Sequence, residues 1–197
     1  ASTSLTKLVM GASGCARSQG FWKKQFSLKG QHHLDDPTLA AYLGLVNFTS
    51  SVFSEQAALN TLEDARRVIE TSDSDKRLKA QAQLLAAWLN FAQGSVGWDE
   101  VIQGEDDIGP MPFNQAMAQA EAILLNPDAT HVELERAKNL AEAVNHLDEK
   151  NGACDDDGDD DGDDGDDNHS GDDDKDDDKR KDDESGDGKS GKGKGGK

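Results

Sequence analysis

From Asp155 to Lys197 the chain has no Leu, Ile, Val, Phe, Trp or Met. A stretch without apolar side chains cannot offset the conformational entropy lost on ordering, so it builds no packed core. Aromatic residues are scarce throughout, at 5% of 197 residues, and 21 Lys and Arg face 40 Asp and Glu for a net charge of −19. That balance argues against nucleic acid as a partner, because the phosphates would be repelled. No run of about 18 apolar residues occurs, so the sequence offers no membrane-spanning helix. There is no G-x-S-x-G, no P-loop and no G-x-G-x-x-G after a strand, so no motif points to an enzyme. Only two cysteines occur, which excludes a multi-bridge framework and a four-cysteine metal site.

What remains divides into three parts: an N-terminal arm over residues 1–14, a foldable domain over 15–154, and a tail over 155–197 rich in Asp, Gly and Lys. The tail holds 20 of the 40 acids and 8 of the 21 bases, a net of −12, which leaves −7 for the rest. It is polarised. Asp dominates Asp155–Asp183, while Lys189, Lys192, Lys194 and Lys197 sit among glycines at the end. Such a segment either pairs acidic and basic blocks between chains or acts as a solvated tail that keeps the protein soluble.

Cys15 and Cys154 bracket the foldable segment, the placement expected of a closing disulfide; two free thiols is the competing reading. In the chain-entropy model a loop of that length contributes about 4–5 kcal/mol. The chain starts at Ala1 without a Met, which fits a mature secreted form; a trimmed piece has the same appearance. The arm is small and polar except for Leu5-Thr6-Lys7-Leu8-Val9-Met10, a β-tolerant piece outside the cysteine pair. It is either frayed or docked on a neighbouring copy.

Within the domain the pattern is helical. Phe21, Trp22 and Phe26 form an aromatic plug. Asp35-Asp36-Pro37 reads as a helix start, with Leu39, Tyr42, Leu43 and Val46 at helical spacing. Ser54-Glu55 opens a stretch whose apolar face is Leu59, Leu62, Ala65, Val68 and Ile69. A longer helix starts at Asp73-Ser74-Asp75, carries Leu78, Ala82, Leu85, Leu89 and Ala92, and stops at Gly94. Residues 97–112 read as a loop with Trp98, Val101 and Ile102 tucked beneath it. A helix over Phe113–Leu125 ends at Asn126-Pro127. The last starts near Thr130, with Val132, Leu134, Ala137, Leu140, Ala141, Val144 and Leu147 on its face, and ends at Gly152. No segment sustains a two-residue alternation. The expected fold is all-α: an irregular bundle of four or five helices closed by one disulfide, with a low-complexity acidic tail.

The order of Cys15, Gly20-Phe21-Trp22-Lys23, Ala86-Ala87-Trp88-Leu89-Asn90-Phe91-Ala92-Gln93-Gly94, then Asn151-Gly152 and Cys154 resembles an uncharacterised extracellular all-helical domain family of bacteria and archaea. The resemblance covers about residues 15–154. It implies an extracellular location and a disulfide, and no reaction. Lys24-Gln25-Phe26 replaces the family's Asn-His-Pro, so any role of that histidine is lost here.

The histidines are His32, His33, His131, His146 and His169. His32-His33 is an adjacent pair in a loop and makes a poor metal site; His131 and His146 read as boundary residues of the last helix. The tail carries calcium-loop spacings, with Asp157, Asp159 and Asp161 before Gly162, Asp166 and Asn168 with Ser170 before Gly171, and Asp172, Asp174 and Asp177 at later ligand places. The twelfth position is Asp rather than a bidentate Glu. Loose multi-site binding of Ca2+ fits this better than a dedicated loop. Asn47-Phe48-Thr49 and Asn168-His169-Ser170 are glycosylation sequons. No cofactor is required by anything in the sequence. The functional expectation is a secreted, non-enzymatic structural or interaction protein at the cell surface. It would self-assemble into a filament or surface layer with copies of itself or other matrix components. The alternative is a calcium-binding matrix module acting through the tail.

Overall fold

Six of the seven described helices begin where a short polar side chain receives backbone N–H groups that the first turn leaves without partners. In the computed structural model, which describes residues 15–28, 32–72, 74–104 and 108–147, Ser18 opens α1 (Gln19–Phe26), and Asp35, with Pro37 in the first turn, opens α2 (Asp36–Thr49). Ser50 accepts from Phe53 N and opens α3 (Ser51–Glu55). Thr61 and Asp64 form a capping box at α4 (Leu62–Ile69). Asp75 opens α5 (Lys76–Gln93), and Gly94 ends it at φ 89°, a left-handed conformation that glycine adopts without strain. Thr130 and Glu133 box the start of α7 (His131–Asn145).

The start of α6 (Phe113–Leu125) is different. Its N-cap is Pro112, which has no side-chain acceptor. Instead, Phe113 N donates to Glu100 O at 2.7 Å and Asn114 N to Trp98 O at 3.1 Å, so the preceding loop supplies the missing acceptors. That loop also contains a small antiparallel pair, β1 (Val101–Ile102) and β2 (Met111–Pro112), in the register Val101↔Pro112 and Ile102↔Met111.

The core is organised around α5. From Ala80 to Gln93 it is buried at every position except Gln83 and Phe91, as expected of a helix that is apolar on most of its circumference. α6 packs antiparallel to it: Trp88 and Phe91 meet Phe113 at the start of α6, and Arg77 donates to the carbonyls of Leu124 and Asn126 at its end. α7 runs parallel to α5, with Lys76 at Glu135 (2.7 Å) near their starts and Asn90 at Asn145 (3.0 Å) near their ends. α1, α2, α3 and α4 cover the remaining sides of this three-helix centre, and Trp22, Phe53, Phe113 and Leu59 are among the largest fully buried side chains.

The described residues are mostly helical, as the apolar spacing predicts. They form seven helices rather than four or five. Three differences have physical causes. The stretch expected to run from Ser54 to Ile69 is two helices, because the Thr61 box starts a new one and Leu59 is buried from a non-helical segment. The aromatic plug is itself a helix, α1. The loop over 97–112 holds a strand pair too short for alternation to register. Several expected burials also differ: Ile102 is buried, whereas Trp98 is 48% exposed, Val101 52%, Val132 80% and Leu78 37%. The chain divides between Asp157 and Gly158, and every described residue lies on the N-terminal side. Among the described residues no helix is long and apolar enough to cross a membrane.

Candidate functional site

Three buried polar centres fix the shape of the domain. The first is Asn90. An amide side chain offers two donors and an acceptor with two lone pairs, and all are used here. Asn90 Oδ1 accepts from Arg17 N at 2.8 Å and from Trp22 Nε1 at 3.0 Å. Asn90 Nδ2 donates to Arg17 O at 2.8 Å and to Asn145 Oδ1 at 3.0 Å. Asn145 Nδ2 passes the chain on to Gln83 O (3.1 Å) and Gln83 Oε1 (2.8 Å). One side chain thus ties the segment after Cys15 to α1, α5 and α7. The segments Gly20-Phe21-Trp22-Lys23 and Ala86–Gly94 meet at the Trp22–Asn90 hydrogen bond. The sequence marked Asn90 only as part of a motif; a lone polar residue in an otherwise apolar helical run is the signal that would have found its role.

The second centre is Glu121, whose carboxylate accepts from Trp88 Nε1 (2.9 Å) on α5 and from Ser51 N (3.1 Å) at the start of α3. It pins the start of a five-residue helix that buries Val52 and Phe53. The third is Gln25, whose Oε1 accepts from His33 N (2.9 Å) and Leu34 N (3.1 Å). Its Nε2 is buried without a partner among the described residues. Arg17 lies over the Phe21 ring at 5.0 Å.

Four surface carboxylates titrate low for local reasons. Hydrogen bonds from Thr38 hold Asp35 below its ordinary value. Arg66 does so for Glu63, the Thr130 backbone for Glu133 and Lys76 for Glu135. Burial raises the Tyr42 hydroxyl.

The histidines among the described residues are not gathered. His32 is exposed with Nδ1 2.7 Å from Gln25 O, His33 stacks on Phe21 with centroids 6.1 Å apart, His131 starts α7 and His146 caps its end. Among the described residues, no group of three or more His, Cys, Asp or Glu could hold a metal ion. The expected calcium ligands Asp157, Asp159, Asp161, Asp166, Asn168, Asp172, Asp174 and Asp177 lie outside the described residues, as does the sequon at Asn168. The other sequon residue, Asn47, lies inside α2, where its Nδ2 donates to Leu59 O at 2.6 Å and its Oδ1 accepts from Leu59 N at 3.2 Å. The described residues contain no free cysteine thiol. The proposed partner of Cys15, Cys154, lies outside them.

No family model matches the chain, and neither does any curated protein or solved structure.

The surface feature that stands out is the outer side of α2. Ala40, Ala41, Gly44, Leu45 and Phe48 are all exposed there, Phe48 at 81%. The helix carries one charged residue, Asp36, in 14. A surface helix in a water-facing position ordinarily carries a polar outer face. Beside this face lies a groove of about 220 Å3 between α2 and the start of α4, lined by Leu43, Gly44, Asn47, Leu59, Thr61 and Leu62 among others. A Cβ added at Gly44 would meet nothing within 4 Å.

Proposed function

We propose that this chain is a secreted, non-enzymatic structural protein of the cell exterior that associates with copies of itself. The observation that carries the reading is the uncharged outer face of α2. A chain of net charge −19 repels its own copies. An uncharged apolar face is where two such bodies approach without that repulsion, and covering Phe48 and Leu45 removes apolar surface from water. In this reading Cys15 and Cys154 are joined, closing the helical domain in an oxidising compartment. The Asp-rich tail keeps the assembly hydrated and takes up divalent cations loosely.

The test is sedimentation velocity of the full chain over a concentration series, with electron microscopy of the concentrated sample. Concentration-dependent growth into oligomers or filaments is the expected result. A sedimentation coefficient that stays at the monomer value throughout the series would overturn it.

A further inference from the structure

We propose that two copies of this chain pair α2 against α2 across a two-fold axis, with Phe48 of each seated over Gly44 of the other. The proposal rests on the self-association reading above and names the contact that carries it.

The geometry starts from helix spacing. Positions 44 and 48 lie one turn apart on the same side of α2, separated by about 6 Å along its axis. Phe48 is 81% exposed, so its ring stands out from that side. Gly44 is a gap beside it. A Cβ built at the glycine meets nothing within 4 Å, so the chain's own Phe48 leaves the space above Gly44 open. The groove that Gly44 helps line opens next to this gap, towards Leu59 and Leu62.

A ring and a gap one turn apart on one helix are complementary to themselves. A two-fold contact requires that where residue i meets residue j, j also meets i. An antiparallel pair of α2 helices with its axis near Val46 meets that condition and brings each Phe48 to the other's Gly44. A parallel pair would set ring against ring and gap against gap. Ala40 and Ala41, both exposed, are small enough to let the two helices approach along the same side.

Charge selects the same arrangement. A second copy brings the same net −19, so the contact has to keep like charges apart. Asp36 is the one charged residue of α2 and lies about ten residues from the axis. Antiparallel pairing puts the two Asp36 side chains at opposite ends, about 30 Å apart, against a Debye length of about 8 Å at physiological salt. Parallel pairing would set them side by side. Two phenylalanine side chains bury about 300–500 Å2 between them, well below the roughly 1,200 Å2 at the low end of stable complexes. The contact is therefore of the weak, concentration-dependent kind, and it gains from repetition in an assembly.

The experiment uses the full chain and two full-length variants, Phe48→Ala and Gly44→Phe. Both positions are exposed and a side chain at 44 displaces nothing, so circular dichroism should show both folds intact. Sedimentation velocity should show each variant alone associating roughly ten- to a hundredfold more weakly than the parent. Phe48→Ala leaves the gap at Gly44 empty, and Gly44→Phe sets ring against ring at both contacts. An equimolar mixture should recover dimers with one copy of each variant. There the new ring at position 44 meets the shortened side chain at position 48, and the native pair of Phe48 and Gly44 is kept at the other contact. A general apolar attraction predicts the reverse for Gly44→Phe, namely stronger association. If the parent assembles and either variant assembles as well or better, the contact between Phe48 and Gly44 is overturned while self-association stands. If the mixture associates no more strongly than the variants alone, the two-fold register is overturned. If the parent is monomeric at all concentrations, this contact and the self-association reading fail together.

Discussion

Replacing Asn90 with alanine removes four hydrogen bonds at once, and their surroundings set the cost. Trp22 is fully buried, so its Nε1 cannot turn to water when Asn90 Oδ1 is gone. A buried donor left without an acceptor costs about 1–3 kcal/mol. Asn145, 1% exposed, loses the donor to its Oδ1, which adds about 1 kcal/mol. The backbone of Arg17 is only partly buried, and its N–H and C=O can be rehydrated at smaller cost. The sum is about 2–5 kcal/mol, large against a typical stability of about 5–15 kcal/mol. The assay is urea unfolding followed by circular dichroism, read as a lower midpoint at unchanged slope. Two further variants test the mechanism. Adding Trp22→Phe to Asn90→Ala removes the orphaned donor and should show less than additive loss, by about 1–2 kcal/mol. Asn90→Asp keeps the acceptor for Trp22 but sets an oxygen against Arg17 O and Asn145 Oδ1. Burial and these acceptors raise the folded-state pKa of the new carboxyl, so this variant should be most stable in acid and lose stability as pH rises through that value. A cost below about 1 kcal/mol for Asn90→Ala, with no coupling to Trp22→Phe, would refute the argument.

Three other outcomes follow from the same structure. Glu121→Gln leaves either Trp88 Nε1 or Ser51 N facing an NH2 group, and should lower stability by about 1–2 kcal/mol in the same urea assay; an unchanged midpoint would contradict the clamp. Asp35, Glu63, Glu133 and Glu135 all titrate below their ordinary values of 3.8 and 4.5 when folded. Their contribution is therefore complete above those values and disappears as pH falls through the lowered ones. The thermal midpoint should drop in that acid range, with a shallower drop in Thr130→Ala, which loses the Glu133 box; equal slopes would argue against it. Finally, reduction of native protein should lower stability by up to about 4–5 kcal/mol if Cys15 and Cys154 are joined. Alkylation of both thiols without prior reduction, read by intact mass, would remove the disulfide and the argument for an oxidising compartment.

Local chemistry was legible without coordinates. Asp35 with Pro37, Asp75, Gly94, Asn126-Pro127 and Thr130 mark helix ends in the sequence, and the helices end there. They can be read because a cap acts through its own backbone neighbours within three or four residues. The missed break at Thr61 belongs to the same class: its partner is Asp64, three residues on, but the apolar spacing from Leu59 to Ile69 masked it. The arm, the acidic tail and the placement of the cysteines likewise come from composition alone.

Tertiary structure decided which apolar residues are covered. Spacing identifies a helix face, yet only a packed neighbour makes that face a core. Val132 and Leu78 fit the apolar stripes of α7 and α5, yet Val132 is 80% exposed and Leu78 37%. The spacing of Leu39, Tyr42, Leu43 and Val46 marks the face of α2 that is buried; only packing decided that the opposite side, with Gly44, Leu45 and Phe48, stays exposed although it too is largely apolar. Asn90 is polar in sequence and wholly buried in the fold, because Arg17, Trp22 and Asn145 reach it from 55 to 73 positions away. Hydrogen bonds over such separations depend on how the helices pack, and that arrangement is set by the whole core rather than by any stretch of the chain.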